Sequence, residues 1–306
     1  MDLKSKIILI SGPTASGKSK FAIQLAKKIN GEVINADSMQ IFKELKILTA
    51  RTQKHDLKNI KHHLYGFKSV KDNYSTGNWL KDTKLKINII KKKNKIPILV
   101  GGTGLYFKAL IDGIVKIPDI PLTIRNRIRK KQSKIGQNKF YSELVKLDPL
   151  CKKKINKNDT QRSIRAYEVK KFTNKSLFDW YSETYSDFNQ DSFIKLHIDY
   201  PRDKLIERIS LRTNEMLRDG AIEEAKKFYK LRINKDLSSN KVIGLSEIKD
   251  YLEKRINLNE LKEKISIKTR QYAKRQSTWA RGQMSDWQKI KFDEVKLFLK
   301  KFPKSA

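Results

Sequence analysis

Residues 6–19 read Lys-Ile-Ile-Leu-Ile-Ser-Gly-Pro-Thr-Ala-Ser-Gly-Lys-Ser, and this stretch decides the fold class. A short apolar run at 6–10 enters a loop, and Gly12-Pro13-Thr14-Ala15-Ser16-Gly17-Lys18-Ser19 then satisfies G-x-x-x-x-G-K-[ST] at every fixed position. Downstream, Phe21, Ala22, Leu25, Ala26 and Ile29 recur at helical spacing, so the order is strand, loop, amphipathic helix. In that setting the backbone N–H groups of the loop converge on phosphate oxygens and the helix N-terminus adds partial positive charge. Lys18 neutralises a phosphate and Ser19 can hold Mg²⁺. The loop is therefore a candidate site for a di- or triphosphate group, and it leaves open what that group is attached to.

Working outward, residues 32–35 form a second short apolar run ending in Ala36-Asp37-Ser38, and 96–100 a third ending in Gly101-Gly102-Thr103-Gly104 before helical spacing over 105–111. A further strand is expected at 193–198, followed by a long helical pattern from Arg202 through Leu205, Ile209 and Met216 to Gly220. Strands alternating with helices predict an α/β fold, a P-loop NTPase-like parallel sheet core. Between Pro118 and about Gln190 the β-branched runs give way to charged, helix-like sequence. The expected division is thus a core of residues 1–117 and 191–306 with a helical insertion at 118–190; a surface elaboration packed on the sheet is the alternative. After Leu245 the chain reads as helices to its end.

The 306 residues carry 68 Lys+Arg against 33 Asp+Glu, a formal charge of +35, which points to a polyanionic partner. Lysine, isoleucine and asparagine are abundant throughout, so charge alone does not separate nucleic-acid binding from background composition. With 38% hydrophobic residues the chain can bury a real core. A single cysteine, Cys151, excludes a disulfide framework and any zinc site needing paired thiolates, and suits a reducing compartment, so a cytoplasmic location is expected. Nowhere do enough apolar residues run together for a membrane span.

Asp37 closes the second strand, and in a parallel sheet the carboxyl ends of the strands share one crevice. A carboxylate there can accept a proton from a nucleophile, bind an amino group or hold Mg²⁺ through water; it can equally serve a turn or helix cap. The Gly101–Gly104 loop brings the Thr103 hydroxyl toward the same crevice or is merely a tight turn, and no acidic residue ends its strand. Arg162 and Arg165, at i and i+3 behind a cap at Asn158 or Asp159, share a helix face that either tracks phosphates or is simply solvated. Over 269–281, Arg270, Lys274 and Arg281 fall on one helical stripe with Tyr272 and Trp279 opposite. The four histidines, His55, His62, His63 and His197, lack metal-ligand spacing and read as structural.

Taken in order and spacing, these motifs resemble the tRNA dimethylallyltransferase family, also called tRNA isopentenyltransferases. The matching segments are 12–19, Asp37-Ser38-Met39-Gln40, His62-His63-Leu64, Gly101-Gly102-Thr103-Gly104-Leu105-Tyr106, 161–169 and 269–281, which span nearly the whole chain. The resemblance implies transfer of a dimethylallyl group from dimethylallyl diphosphate to N6 of the adenosine just 3′ of a tRNA anticodon, with Mg²⁺ present and diphosphate released. It implies that the 12–19 loop holds the diphosphate, with Ser19 serving the metal, and that Lys18 and Arg212 neutralise it. Asp37 would take the N6 proton, and Asp37, Ser38, Met39 and Gln40 would surround the flipped adenine, with Thr103 beside it. Gln161, Arg162, Ser163, Ile164 and Arg165, and more weakly Arg125, would contact the anticodon stem-loop. The chain departs from many relatives at Phe42 and Ser246, where Tyr, or Tyr and Lys, are usual. A monomer of bacterial type is expected. Two other classes share the P-loop: a small-molecule kinase, which leaves the basic C-terminal helix unexplained, and a nucleic-acid-dependent ATPase, which must account for the missing strand-end carboxylate.

Overall fold

The computed structural model describes residues 3–51 and 60–303. Six strands form one all-parallel sheet in the order β3-β2-β4-β1-β5-β6. They are β1 (Ile7–Ser11), β2 (Gly31–Asn35), β3 (His62–His63), β4 (Ile96–Gly101), β5 (Phe193–Asp199) and β6 (Gln288–Lys291). The helices are α1 (Lys18–Lys28), α2 (Thr76–Lys92), α3 (Gly104–Asp112), α4 (Leu122–Leu147), α5 (Cys151–Lys154), α6 (Thr160–Thr173), α7 (Leu177–Ser182), α8 (Arg202–Arg218), α9 (Ala221–Lys230), α10 (Leu245–Leu252), α11 (Leu258–Gln283) and α12 (Val295–Lys300).

Residues β1, β2 and β4 are buried throughout, as central parallel strands covered on both faces must be. Ile7, Leu9, Ile34 and Leu99 pack on one side against Trp79, Phe107, Ala280 and Trp287; Ile8, Ile10, Val33 and Ile98 pack on the other against Phe21, Leu25 and Phe298. The P-loop NTPase-like core is therefore the expected one. Strand β4 lies between β1 and β2, so the loops after all three emerge at the same carboxyl edge of the sheet.

The C-terminal stretch is not wholly helical, because 288–291 adds β6 parallel to β5 at the sheet edge. Its four residues alternate Lys with a single buried Ile290, a pattern typical of a short, lysine-protected edge strand and too brief to register as a period. The chain separates into two compact units, one of residues up to Ile111 and from Phe188 onward, the other Asp112–Asp187. The second starts earlier than the prolines at 118 and 121 suggest, directly where α3 ends. It is all-helical, with α4 interrupted at Gly136 (φ 75°) and packed on α6 through Phe140, Leu144, Ala166 and Tyr167. Cys151 is buried there; burial pushes its thiol up to about 12, which removes it as a nucleophile. Among the described residues no helix is long and apolar enough to cross a membrane.

Candidate active site

The loop after β1 is shaped by backbone conformation before any side chain acts. Gly17 caps α1 at φ 84°, a left-handed value that a side chain tolerates poorly, and Ala15 is held at φ 63°, strain of the kind that accumulates in ligand loops. Lys18 follows at the first turn of α1 and donates to the Pro13 carbonyl at 3.1 Å. Desolvation at the cleft floor pushes its ammonium down to about 8, against the attraction of Asp37 and with the nearby Arg212 adding to the depression. Arg212, reaching in from α8, donates to Thr14 Oγ1 at 3.0 Å; desolvation lowers it as well, again opposed by Asp37.

Asp37 is fixed by its neighbours. The wholly buried Asn35 accepts from the Asp37 N–H at 2.9 Å and donates to the carbonyls of Asp37 (2.9 Å) and Leu64 (3.0 Å). Trp79 donates to the Asn35 carbonyl at 2.8 Å, which ties this turn to α2. One Asp37 oxygen accepts from the Met39 N–H at 2.9 Å, so the turn-forming role that its local sequence allows is present alongside its place in the cleft. Three tyrosines, Tyr65, Tyr106 and Tyr272, are raised above the ordinary phenol range first by burial and then by the Asp37 charge. The carboxylate thus stands between two cations and three neutral phenols.

Between these loops lies the one after β4. A Cβ on Gly101 would fall 2.0 Å from the Ala36 carbonyl oxygen, on Gly102 2.0 Å from Gln276 Nε2, and on Gly104 2.1 Å from Trp279 Nε1. Gly101 and Gly104 cannot carry a side chain because the Ala36 backbone and the Trp279 ring stand too close, whereas at Gly102 the flexible Gln276 amide would have to give way. Thr103 Oγ1 accepts from the Ser38 N–H at 3.0 Å, while the Thr103 N–H donates to the Ala36 carbonyl at 3.2 Å. Gln276 on α11 joins the two loops: its Oε1 accepts from the Thr14 N–H at 2.8 Å and its Nε2 donates to the Gly102 carbonyl at 3.0 Å.

Lys18, Ser19, Asp37, Ser38, Met39, Thr14 and Arg212 all line one cleft of about 680 Å³. Gln40 also borders it, but its amide is turned to the carbonyls of Thr49 (3.0 Å) and Ala50 (3.3 Å). Tyr272, Arg275 and Arg208 join the lining, and Arg208 stacks on Tyr200 at 5.2 Å. These three and Gln276 were not singled out as cleft residues from the sequence. Arg208 lies one helical turn before Arg212, and Tyr272 and Gln276 share a face of α11 within the 269–281 segment, so the helical spacing held the signal. Ser16 Oγ is buried with no hydrogen-bond partner, an orphaned donor suited to a loop that takes phosphate oxygens. Ser19 borders the cleft, and a single hydroxyl suits Mg²⁺, which keeps several waters and takes few protein ligands.

In the helical unit the candidate residues divide. Gln161 and Arg162 are exposed, whereas Ser163 and Ile164 are buried, because adjacent positions of α6 cannot all reach one face. Ser163 Oγ donates to the Asp159 carbonyl at 2.7 Å, so Ser163 and Ile164 support the surface rather than present it. Arg162 pairs with the cap residue Asp159 at 3.1 Å, while Arg165 and Arg125 turn to Glu168. His63 is a buried partner of Glu32 at 2.6 Å and His62 Nδ1 donates to the Ile60 carbonyl at 2.7 Å, which gives both the structural role expected; His55 lies outside the described residues.

A family model described as IPP transferase matches residues 40–283. The chain is 62% identical to the tRNA dimethylallyltransferase of Pelagibacter ubique, covering 100% of this chain and 98% of that protein. It is 41% identical to that of Rhizobium etli, over 92% of this chain and 96% of the other. Among solved structures it is similar to the full-length tRNA isopentenylpyrophosphate transferase of Bacillus halodurans (TM-score 0.70, 31% identity, 97% of this chain and 95% of that one). It is also similar to a eukaryotic dimethylallyltransferase acting on tRNA (TM-score 0.81, 29% identity, 94% of this chain and 74% of that one).

Proposed function

The chain belongs to the IPP transferase family, and from that premise we propose that its cleft moves a dimethylallyl group from dimethylallyl diphosphate to N6 of the adenosine just 3′ of a tRNA anticodon. The observation that carries the chemistry is the placing of Asp37 opposite Lys18 and Arg212 in one cleft, near enough to perturb both cations. The bond between N6 and the allylic carbon forms as the bond from that carbon to the diphosphate oxygen breaks. Charge then develops on the leaving diphosphate, and Lys18 and Arg212, which border the cleft where the 12–19 loop meets the N-terminus of α1, neutralise it. A loop suited to stabilising phosphoryl transfer serves equally to stabilise diphosphate as a leaving group. The N6 proton passes to the free side of the Asp37 carboxylate, whose other oxygen is held by Met39.

Asn35, Gln276 and Thr103 keep the three loops in register, so that proton acceptor and leaving-group cradle are preorganised before substrate arrives. Ser19 would hold Mg²⁺, which when bound would add to the neutralisation of the diphosphate. The adenine must leave the anticodon stack to reach Asp37, at a cost of a few kcal/mol that phosphate contacts elsewhere on the protein offset. The exposed arginines of the helical unit are suited to those contacts, and the chain acts as a monomer in this reading. Purified protein with Mg²⁺ and labelled dimethylallyl diphosphate is expected to move label into tRNA with no nucleotide present, and ATP is expected not to help. Label remaining with the small molecules while ATP is consumed overturns the reading.

A further inference from the structure

Glu168 on α6 is 1% exposed, yet three guanidinium groups converge on it. Arg125 Nε and Arg129 Nε approach from successive turns of α4 at 3.6 and 3.7 Å, and Arg165 Nη1 from the preceding turn of α6 at 3.6 Å. One carboxylate needs one arginine for a bidentate pair; three leave a surplus of two positive charges. None of these three contacts is a hydrogen bond, and both Glu168 Oε1 and Arg125 Nε are buried without a hydrogen-bond partner. The carboxylate therefore attracts the three forks without consuming their donors. Between 37% and 48% of each arginine side chain remains exposed, so the surplus charge is available to an anion from outside.

We propose that Glu168 is a positioning residue that gathers Arg125, Arg129 and Arg165 into a claw for a backbone phosphate of the tRNA, with Arg129 a direct contact. This rests on the reading that tRNA is the substrate. The reason for an acidic residue at the centre of a polyanion site is geometric: without it, three like charges on two helices repel and their long side chains disperse into many rotamers. With it, their order is established before RNA arrives, and the phosphate completes the neutralisation that a single carboxylate leaves unfinished.

The test turns on a sign. Glu168→Gln makes the protein more positive, so if only bulk charge mattered it would bind tRNA more tightly. As a positioning residue its loss is expected to weaken tRNA binding about five- to twentyfold and to reduce the magnitude of the slope of log affinity against log salt by roughly one, the signature of a lost phosphate contact. KM for dimethylallyl diphosphate and kcat at saturating tRNA are expected to stay at the parent values. Should Glu168→Gln fail to fold, Arg129→Ala decides against Lys139→Ala, which removes an equal charge from an exposed site of α4 beyond its break at Gly136. Arg129→Ala is expected to weaken tRNA binding several-fold more than Lys139→Ala and to lose about one unit of salt slope. Glu168→Gln binding as tightly as the parent or tighter, or Arg129→Ala matching Lys139→Ala, overturns the claw. A parent protein that neither binds tRNA nor transfers label overturns the substrate reading beneath it instead.

Discussion

The α/β cleft and the helical unit both concentrate positive charge, but they hold it in different ways. In the cleft Lys18 and Arg212 are desolvated, each donates to a nearby oxygen, and both face a single carboxylate on a turn locked by Asn35. In the helical unit the arginines around Glu168 are half-exposed and their donors are not committed to hydrogen bonds with it. The first arrangement suits a compact diphosphate that must be bound at one position to within a fraction of an ångström. The second suits one phosphate among many on a long polymer, where reach and charge matter more than a single fixed geometry. Burial sets the difference: a desolvated cation interacts strongly and is little screened by salt, an exposed one interacts weakly and is screened further as ionic strength rises.

Asp37→Asn tests the cleft most severely. It keeps shape and the Met39 contact but removes the proton acceptor, so turnover is expected to fall about 10²–10⁴-fold while tRNA affinity and melting temperature stay close to the parent. Normal turnover would leave Asp37 with the turn role alone. Salt separates the two regions next. Raising it from 50 to 200 mM is expected to weaken tRNA binding about ten- to a thousandfold in a binding titration, with a much smaller change in KM for dimethylallyl diphosphate. Equal salt responses would erase the distinction drawn here.

Gln276→Ala removes two hydrogen bonds that join the 12–19 and Gly101–Gly104 loops. A drop of about ten- to a hundredfold in kcat/KM is expected from steady-state kinetics, without loss of tRNA affinity. The smallest effect concerns pH. Because desolvation pushes Lys18 down to about 8, the ammonium is present below that value and lost as pH rises through it. Apparent affinity for dimethylallyl diphosphate is therefore expected to fall above about pH 8 by no more than tenfold per pH unit, while kcat stays flat because bound diphosphate restores the proton. A Lys18→Arg variant that retains activity is expected to lack this fall, and a pH profile unchanged by that substitution would place the titrating group elsewhere.

Read alone, the sequence determined what depends on contiguous residues. The loop at 12–19, the strand before it and the helix after it follow from apolar spacing and from two glycines, a lysine and a serine at fixed positions. Asp37 and Thr103 were identifiable for the same reason: each sits just beyond the end of a buried strand, and parallel strands deliver such residues to one edge. Strand β6 and the inward turn of Ser163 and Ile164 escaped because four lysine-rich residues, or two neighbours on a helix, carry too little period to assign a partner or a face. Only the tertiary structure decided which distant side chains complete the sites. Gln276 meets Thr14 across 262 positions, Arg212 meets Thr14 across 198, and Arg129 and Glu168 meet because α4 packs on α6. Pairing across packed helices is set by how ridges pack and how the chain closes its loops, and residues that look like ordinary polar positions acquire their roles only when the helices carrying them are brought together.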